Sequence, residues 1–385
     1  MDLNYSDEQL LLRESADRFL KERYDFEKRA KILASDTGFA SDIWAEIADL
    51  GWLALPFAEE NGGLGGGAVE ISLIMEAVGR ALMVEPYLTC VILAGGLVER
   101  LGSEAQKAEI LGGLIAGTSR PALAHTERQT GFDLGSVSAI ATKNGEGYVL
   151  SGEKSLVPGG PFADVFLVSA KLDGLISLFA VPANADGLFR ADVKLVDGSR
   201  ASDLVLDNVS VQASALLTTG TDTLAEIEAA YDRANAALAS EAVGAMDALL
   251  DATVAYTKER VQFGKPLAAF QALQHRMGEM AVKCQEARGS ALLAMLSVDA
   301  PRAMRIRGVS GARAKIGKVS RSVAQEAIQL HGAMGFSQEM PVGAWFRRLY
   351  AIENTFGTTA DHLKRYGEII RDPAILSGSL LREPV

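Results

Sequence analysis

The chain has 385 residues, 48% of them apolar and 23% charged, with a net charge of −11. That composition supports two or three packed domains and excludes a disordered chain. The acidic balance argues against a general nucleic-acid surface, and no apolar run is long enough to cross a bilayer.

The first residues, "MDLNYSDEQLLLRESADRF", are polar and acidic. They lack the basic and apolar regions of a secretory signal. Cys90 and Cys284 are far apart, and both lie in helical patterns. Two such cysteines build neither a metal site nor a disulfide framework, so a reducing cytoplasm is the expected compartment.

Residues 1–120 read as an α-helical domain. Ser6 and Gln9 have the spacing of a capping box, and Leu10, Leu11, Ala16, Phe19 and Leu20 follow with helical periodicity. A second helix begins near Ser41 with Ile43, Trp44, Ile47 and Leu50 on one stripe. "PFAEENGGLGGG" (56–67) interrupts it. No buried strand precedes these glycines and the GxGxxG spacing is absent, so they read as a turn and not as a dinucleotide fingerprint. "AVEISLIMEAVGRAL" (68–82) resumes the helix.

Residues 121–216 change period. "GYVLSGEKSLV", "DVFLVSA", "LISLFAVP", "FRADVKLV" and "DLVLDNVSV" are short β-rich runs separated by turn residues. They predict an antiparallel β domain, either a barrel or a sandwich. Residues 217–385 return to helix. Leu224, Ile227, Tyr231, Leu238, Ala242, Met246 and Leu249 mark one long pattern, and helical runs follow at 268–296, 309–332 and 341–370. Together they predict a C-terminal four-helix bundle, and the class is α+β. The basic stretch "RIRGVSGARAKIGKVSR" (305–321) reads as the solvated face of a helix. His125, His275, His331 and His362 offer no metal-binding pair.

The order of helical domain, β domain and bundle resembles the flavin-dependent acyl-CoA dehydrogenases. Four motifs carry the resemblance. "AHTERQTGFDL" (124–134) is similar to the family's Thr-Glu-x-x-x-Gly-Ser-Asp signature, and "YVLSGEKSLV" (148–157) to its Leu-x-Gly-x-Lys strand. "RVQFGKPLAAFQALQHRMGEM" (260–280) resembles its Arg-x-x-Phe-Gly…Gln segment, and "QLHGAMGFSQEMPV" (329–342) its Gln-x-x-Gly-Gly-x-Gly-Phe segment. Within the family, "YDFEKR" (24–29), "LALPFAEENGGLGGG" (53–67), "SEAVGAM" (240–246) and "FQALQH" (270–275) resemble partner subunits such as the small subunit of pimeloyl-CoA dehydrogenase.

The resemblance implies removal of a proton from Cα and a hydride from Cβ of an acyl-CoA thioester. The proton requires a positioned carboxylate, and the hydride requires FAD. The two places where the family keeps its base correspond to Phe356, before Gly357-Thr358, and Ala234, followed by Asn235. None of these side chains accepts a proton. Glu353, Asp232 and Glu241 are the carboxylates left nearby. After Lys154, where the family places an aromatic residue and then a hydroxyl beside the flavin ring, the chain has Ser155-Leu156-Val157-Pro158. Phe132 replaces the serine of the signature, while Thr126 is retained.

The residues implied for the flavin's diphosphate and adenosine end remain: Arg260, Gln262, Phe263, Gln271, Gln329 and Gly332, with Ala333 in place of a second glycine. In the family these motifs commonly reach a neighbour's FAD. The resemblance therefore implies a heteromer with a homologous catalytic acyl-CoA dehydrogenase subunit, with electron-transfer flavoprotein as acceptor. A self-sufficient homo-oligomer with an unusual base is a second reading. An acyl-CoA-binding scaffold without redox chemistry is a third.

Overall fold

The computed structural model describes residues 5–217, 222–337 and 339–371. Helix α1 (Asp7–Arg23) opens on the expected capping box: Gln9 N–H donates to Ser6 Oγ at 3.2 Å, and Ser6 N–H to Gln9 Oε1 at 3.0 Å. Helices α2 (Phe26–Ala34) and α3 (Ser41–Asp49) follow, then the glycine-rich turn and α4 (Ala68–Ala81). Tyr87–Gly95 winds with π-helical hydrogen bonding into α5 (Gly96–Leu101). After α6 (Glu104–Gln106), a second π-helical turn, Lys107–Leu111, leads into α7 (Gly112–Ile115). Apolar periodicity marks these segments as helical but does not separate the two windings.

The next segment forms one seven-stranded sheet: β1 (Pro121–Ala124), β2 (Ile140–Asn144), β3 (Gly147–Pro158), β4 (Val165–Leu172), β5 (Leu175–Pro182), β6 (Leu188–Lys194) and β7 (Arg200–Gln212). It curls over a core that includes Leu150, Phe166, Phe179, Leu204 and Val209. The expected antiparallel pairing holds for β2–β3, β3–β7, β6–β7 and β4–β5. It fails for β1 and β2, which both run parallel to β4. The chain leaves β4's edge after Ala124, loops through 125–139, and returns to the same edge in the same direction. Strand-by-strand patterning cannot reveal such a return.

The remaining elements are α8 (Thr223–Glu259), a hairpin of β8 (Val261–Gln262) and β9 (Lys265–Pro266), α9 (Gln271–Ser297), α10 (Arg302–His331), α11 (Val342–Asn354) and α12 (Thr359–Ile370). The single run anticipated over 341–370 is thus two helices. Phe356 at φ 57 and Gly357 at φ 116 break it. Thr358 then caps α12 by accepting Asp361 N–H at 3.3 Å.

The chain divides into two compact units. One holds α1, α4 and the chain from Asn235 onward; the other holds Glu27–Gly67 and Val84–Ala234, and with them the sheet. Within the helical unit, α4 meets α8 through glycine. A Cβ at Gly79 would overlap the Glu241 carbonyl oxygen, and one at Gly244 would overlap that of Glu76. Only glycine permits this backbone approach.

Candidate functional site

The two regions of the helical unit that hold the residues singled out in the sequence are built in opposite ways. The first is the turn between α11 and α12. Arg313, on the middle of α10, is 1% exposed. Its Nε donates to Asn235 Oδ1 at 2.9 Å, and its Nη2 to the carbonyls of Ile352 at 2.6 Å and Thr355 at 3.0 Å. Asn235 Nδ2 in turn donates to the Phe356 carbonyl at 3.3 Å. The carbonyls of a chain reversal, which would otherwise be stranded in the interior, are satisfied by side chains from α8 and α10. Arg313 belongs to the basic stretch expected to be solvated. Arg307, Lys315, Lys318 and Arg321 do face water, but Arg313 does not. Burial holds its pKa down at about 10, with Glu353 and Glu241 opposing that shift.

His362, in the first turn of α12, is 4% exposed and packs on Gly357. Burial, reinforced by Arg313 and Arg365, lowers its pKa to about 2, so the ring is neutral.

The carboxylates around this turn are committed. Glu353 accepts from Arg321 Nε at 3.0 Å, again from Arg321 Nη2, and from Thr359 Oγ1 at 3.1 Å. Glu241 accepts from Arg348 Nε at 2.5 Å and Nη2 at 2.8 Å. A carboxylate held in a two-point guanidinium pair is a poor proton acceptor, because protonation breaks charge-assisted bonds. Asp232 and Ala234 lie on α8 in the other unit, both fully buried.

The second region lies where α8 and α10 end and α9 begins. Tyr256, near the end of α8, stacks on His331 at 4.5 Å between ring centroids, and its hydroxyl donates to the His331 carbonyl at 3.3 Å. Thr257 Oγ1 donates to Met277 Sδ at 3.3 Å, which ties the start of α9 to the same end. These contacts gather both motif segments at one end of the unit. Arg260, Gln262, Phe263, Gln271, Gln329, Gly332 and Ala333 are all solvent-exposed there. Arg260 makes no ion pair among the described residues.

Phe263 is 90% exposed and sits at φ 53, in the left-handed region. Gly332 ends α10 at φ 60 and ψ −137, with open space where a side chain would project. A cation without a partner, three amide side chains and an open glycine turn fit the diphosphate or ribose of a nucleotide. This end therefore fits the nucleotide tail of FAD.

The residues expected beside a flavin ring do not fit one. In the sheet unit, Lys154 is fully buried and donates to Glu127 Oε1 at 2.7 Å and Ser169 Oγ at 3.0 Å. Glu127 also accepts from the N–H groups of Ser138 at 2.7 Å and Ala139 at 3.1 Å. Burial would raise the pKa of Glu127, but its bonds to Lys154 and Ala139 N–H outweigh burial and lower it.

His125 completes this network. Its Nε2 lies 3.1 Å from the Leu134 carbonyl, which can only accept, so Nε2 carries the proton and Nδ1 accepts from Ser169 Oγ at 3.0 Å. Burial, then the Lys154 charge, lowers its pKa to about 4. The Thr-Glu signature and the Lys strand thus hold the 127–139 loop to the sheet. Sequence reasoning missed this role, although an acid and a lysine in two motifs destined for one sheet were its signal. Beyond Lys154 the β3–β7 register slips. Leu156 turns to φ 50 with its side chain 54% exposed, and its N–H donates to Asp203 Oδ1 at 2.8 Å. No aromatic face or hydroxyl stands at Leu156 or Pro158 for a flavin ring.

Three family profiles match in order: the acyl-CoA dehydrogenase N-terminal domain over 6–118, the middle domain over 122–209 and the C-terminal domain over 225–370. The probable acyl-CoA dehydrogenase YngJ of Bacillus subtilis is 30% identical over 370 residues, covering 93% of this chain and 97% of its own. The chain belongs to the acyl-CoA dehydrogenase family. Among solved structures, butyryl-CoA dehydrogenase from Megasphaera elsdenii superposes with a TM-score of 0.88 at 26% identity, over 96% of this chain and 100% of that one. The steroid acyl-CoA dehydrogenase variant named Tcur3481-Tcur3483 gives a TM-score of 0.86 at 27% identity, over 96% and 99% of the two chains. An oxidoreductase family acting on CH–CH bonds is thereby established for this chain. The arrangement of α-helical, curled β and bundle segments is the acyl-CoA dehydrogenase fold. Among the described residues, no helix is long and apolar enough to cross a membrane, and no three His, Cys, Asp or Glu side chains are grouped so that they could hold a metal ion.

Proposed function

We propose that this chain is a partner subunit of an FAD-dependent acyl-CoA dehydrogenase, of the type of the pimeloyl-CoA dehydrogenase small subunit. It would hold the nucleotide end of an FAD whose reactive ring lies in a homologous catalytic subunit. When bound, that FAD would supply the hydride acceptor. The observation that carries the reading is the turn at Phe356. Where an acyl-CoA dehydrogenase needs a carboxylate, there is a phenylalanine, and Arg313 and Asn235 hold the surrounding carbonyls. The second base position is Ala234. In contrast, Arg260, Gln271 and Gln329 stand ready for an anionic ligand at the exposed end.

In this reading Arg260 binds phosphate, the amides of Gln271 and Gln329 orient the nucleotide, and Gly332 lets the backbone approach it. Phe263 and Gln262 on the hairpin reach toward the neighbour. The assembly would contain two copies of each chain, with about one flavin per pair, and would pass electrons to an electron-transfer flavoprotein. The double designation Tcur3481-Tcur3483 of one solved relative is in keeping with a two-chain arrangement. We also propose 1–120, 121–216 and 217–385 as the three domains.

Expression with and without a co-encoded homologous subunit tests the reading. Alone, the chain should carry little flavin and no dehydrogenase activity; together, the pair should be yellow and active on acyl-CoA. Arg260→Ala should lower flavin occupancy while the pair still assembles. Phe356→Glu should leave the isolated chain inactive, because the ring-side residues are also absent. An active, flavin-loaded chain purified alone would refute the proposal in favour of a self-sufficient homo-oligomer.

A further inference from the structure

Among the described residues, two asparagines precede a glycine, Asn61 and Asn144, and the fold holds them differently. Asn61 is half-buried. Its Nδ2 donates to Glu99 Oε1 at 3.2 Å, and the N–H of Gly62 donates to the Glu59 carbonyl at 3.0 Å. Asn144 ends β2 and pairs with Gly147 of β3. Gly145 and Glu146 form the two-residue hairpin turn between them, with Gly145 at φ 60, and Asn144, Gly145 and Glu146 are all exposed. Neither the Asn144 amide nor the Gly145 N–H has a hydrogen-bond partner among the described residues.

The hairpin tip is also thinly supported. β2 pairs with β4 only at Ile140 and Ala141. Thr142, Lys143 and Asn144 therefore have β3 as their one strand neighbour among the described residues. The exposed Lys143–Asp173 pair, at 3.5 Å, adds little. A short, exposed ladder end of this kind opens at low cost. Opening lets the Asn144 side chain swing toward the next peptide nitrogen, which no neighbouring group shields.

We propose that Asn144–Gly145 is a self-modification site, at which the asparagine becomes aspartate or isoaspartate. The Gly145 nitrogen loses its proton to hydroxide and attacks Asn144 Cγ. An N–Cγ bond forms and the Cγ–Nδ2 bond breaks. Nδ2 departs as ammonia, taking from water a proton that balances the one Gly145 gave up, and a succinimide ring remains. Water then opens the ring. Cleavage at Cγ leaves aspartate; cleavage at the main-chain carbonyl leaves isoaspartate, with the backbone rerouted through Cγ. Nothing is oxidised or reduced, and solvent is the only co-reactant. Each conversion makes the chain one charge more acidic than its present −11. Asn184, Asn208, Asn235 and Asn354 are followed by Ala185, Val209, Ala236 and Thr355, whose side chains hinder the attacking nitrogen.

The test requires neither flavin nor a partner chain. The purified full-length chain is kept folded at mildly alkaline pH, and peptide mass mapping follows both sites. A protein isoaspartate methyltransferase labels the isoaspartate formed. Asn144 should convert about tenfold or more faster than Asn61, where two hydrogen bonds must open first. The rate should rise with pH, and in urea the two sites should convert at similar rates. Asn144→Gln should remove the acidic species and leave the thermal midpoint unchanged, because the longer side chain closes its ring far more slowly. Conversion at Asn61 that keeps pace with Asn144 in the folded chain overturns the proposal. So does an Asn144 that stays intact when folded and converts only in urea. An acidic species that persists in Asn144→Gln places the modification elsewhere and also overturns it.

Discussion

The Phe356 turn and the Arg260 end belong to the same helical unit, yet their polar groups have opposite fates. At the turn, Arg313 and Asn235 spend their hydrogen bonds on the protein's own backbone, and Glu241 and Glu353 spend theirs on arginines. At the other end, Arg260, Gln271 and Gln329 remain in solvent. Polar side chains in a fold either satisfy the chain or wait for something else. The contrast separates a region whose polar groups are taken up by the protein from one whose polar groups face water.

Breaking the spent side should have the largest effect. Arg313→Met would strand Asn235 Oδ1 and two carbonyls, and should cost about 3–5 kcal/mol in urea unfolding. Acid should act next. His362 and His125 are held neutral in the fold, with pKa values of about 2 and about 4 against an ordinary 6.5. The unfolded chain takes up protons first as pH falls below about 6.5. Stability should therefore be flat above that pH and decline below it, by about 3 kcal/mol down to pH 5.5. Urea midpoints across that range check this, and His362→Gln should flatten part of the slope.

Smaller effects sharpen the other side. Gly332→Ala puts a side chain at φ 60 and ψ −137, and should cost about 1–2 kcal/mol as well as flavin occupancy in the assembled pair. Thr358→Ala removes the α12 cap and should cost about 1 kcal/mol, read as a fall in thermal midpoint. Phe263→Ala, at a 90% exposed position, should change the isolated chain's stability by no more than about 0.5 kcal/mol. A large change there would mean that Phe263 serves this chain's own fold and not an assembly.

Much of this was legible in the sequence. Periodicity and turn residues located the helical, β and bundle segments, and the capping box at Ser6 formed as spaced. The motif residues at Arg260–Gln271 and Gln329–Gly332 lie at one end of the helical unit. What escaped depends on tertiary context. Arg313 sits among exposed basic residues in a helical run, and only the packing of α8 and α11 around it makes it internal. The parallel pairing of β1 and β2 with β4 is a property of a loop's path and not of either strand's pattern. The role of Glu127 and Lys154 needed the sheet that joins them, because an ion pair between distant motifs leaves no local mark.

The glycine-to-glycine meeting of α4 and α8 also bears on biosynthesis. Gly79 emerges from the ribosome roughly 165 residues before its counterpart Gly244, so the face of the early helix that meets α8 must wait for the later one. Nascent chains stalled before α8 should consequently be clients of cellular chaperones, and this chain's yield should depend on them more than its final stability would suggest.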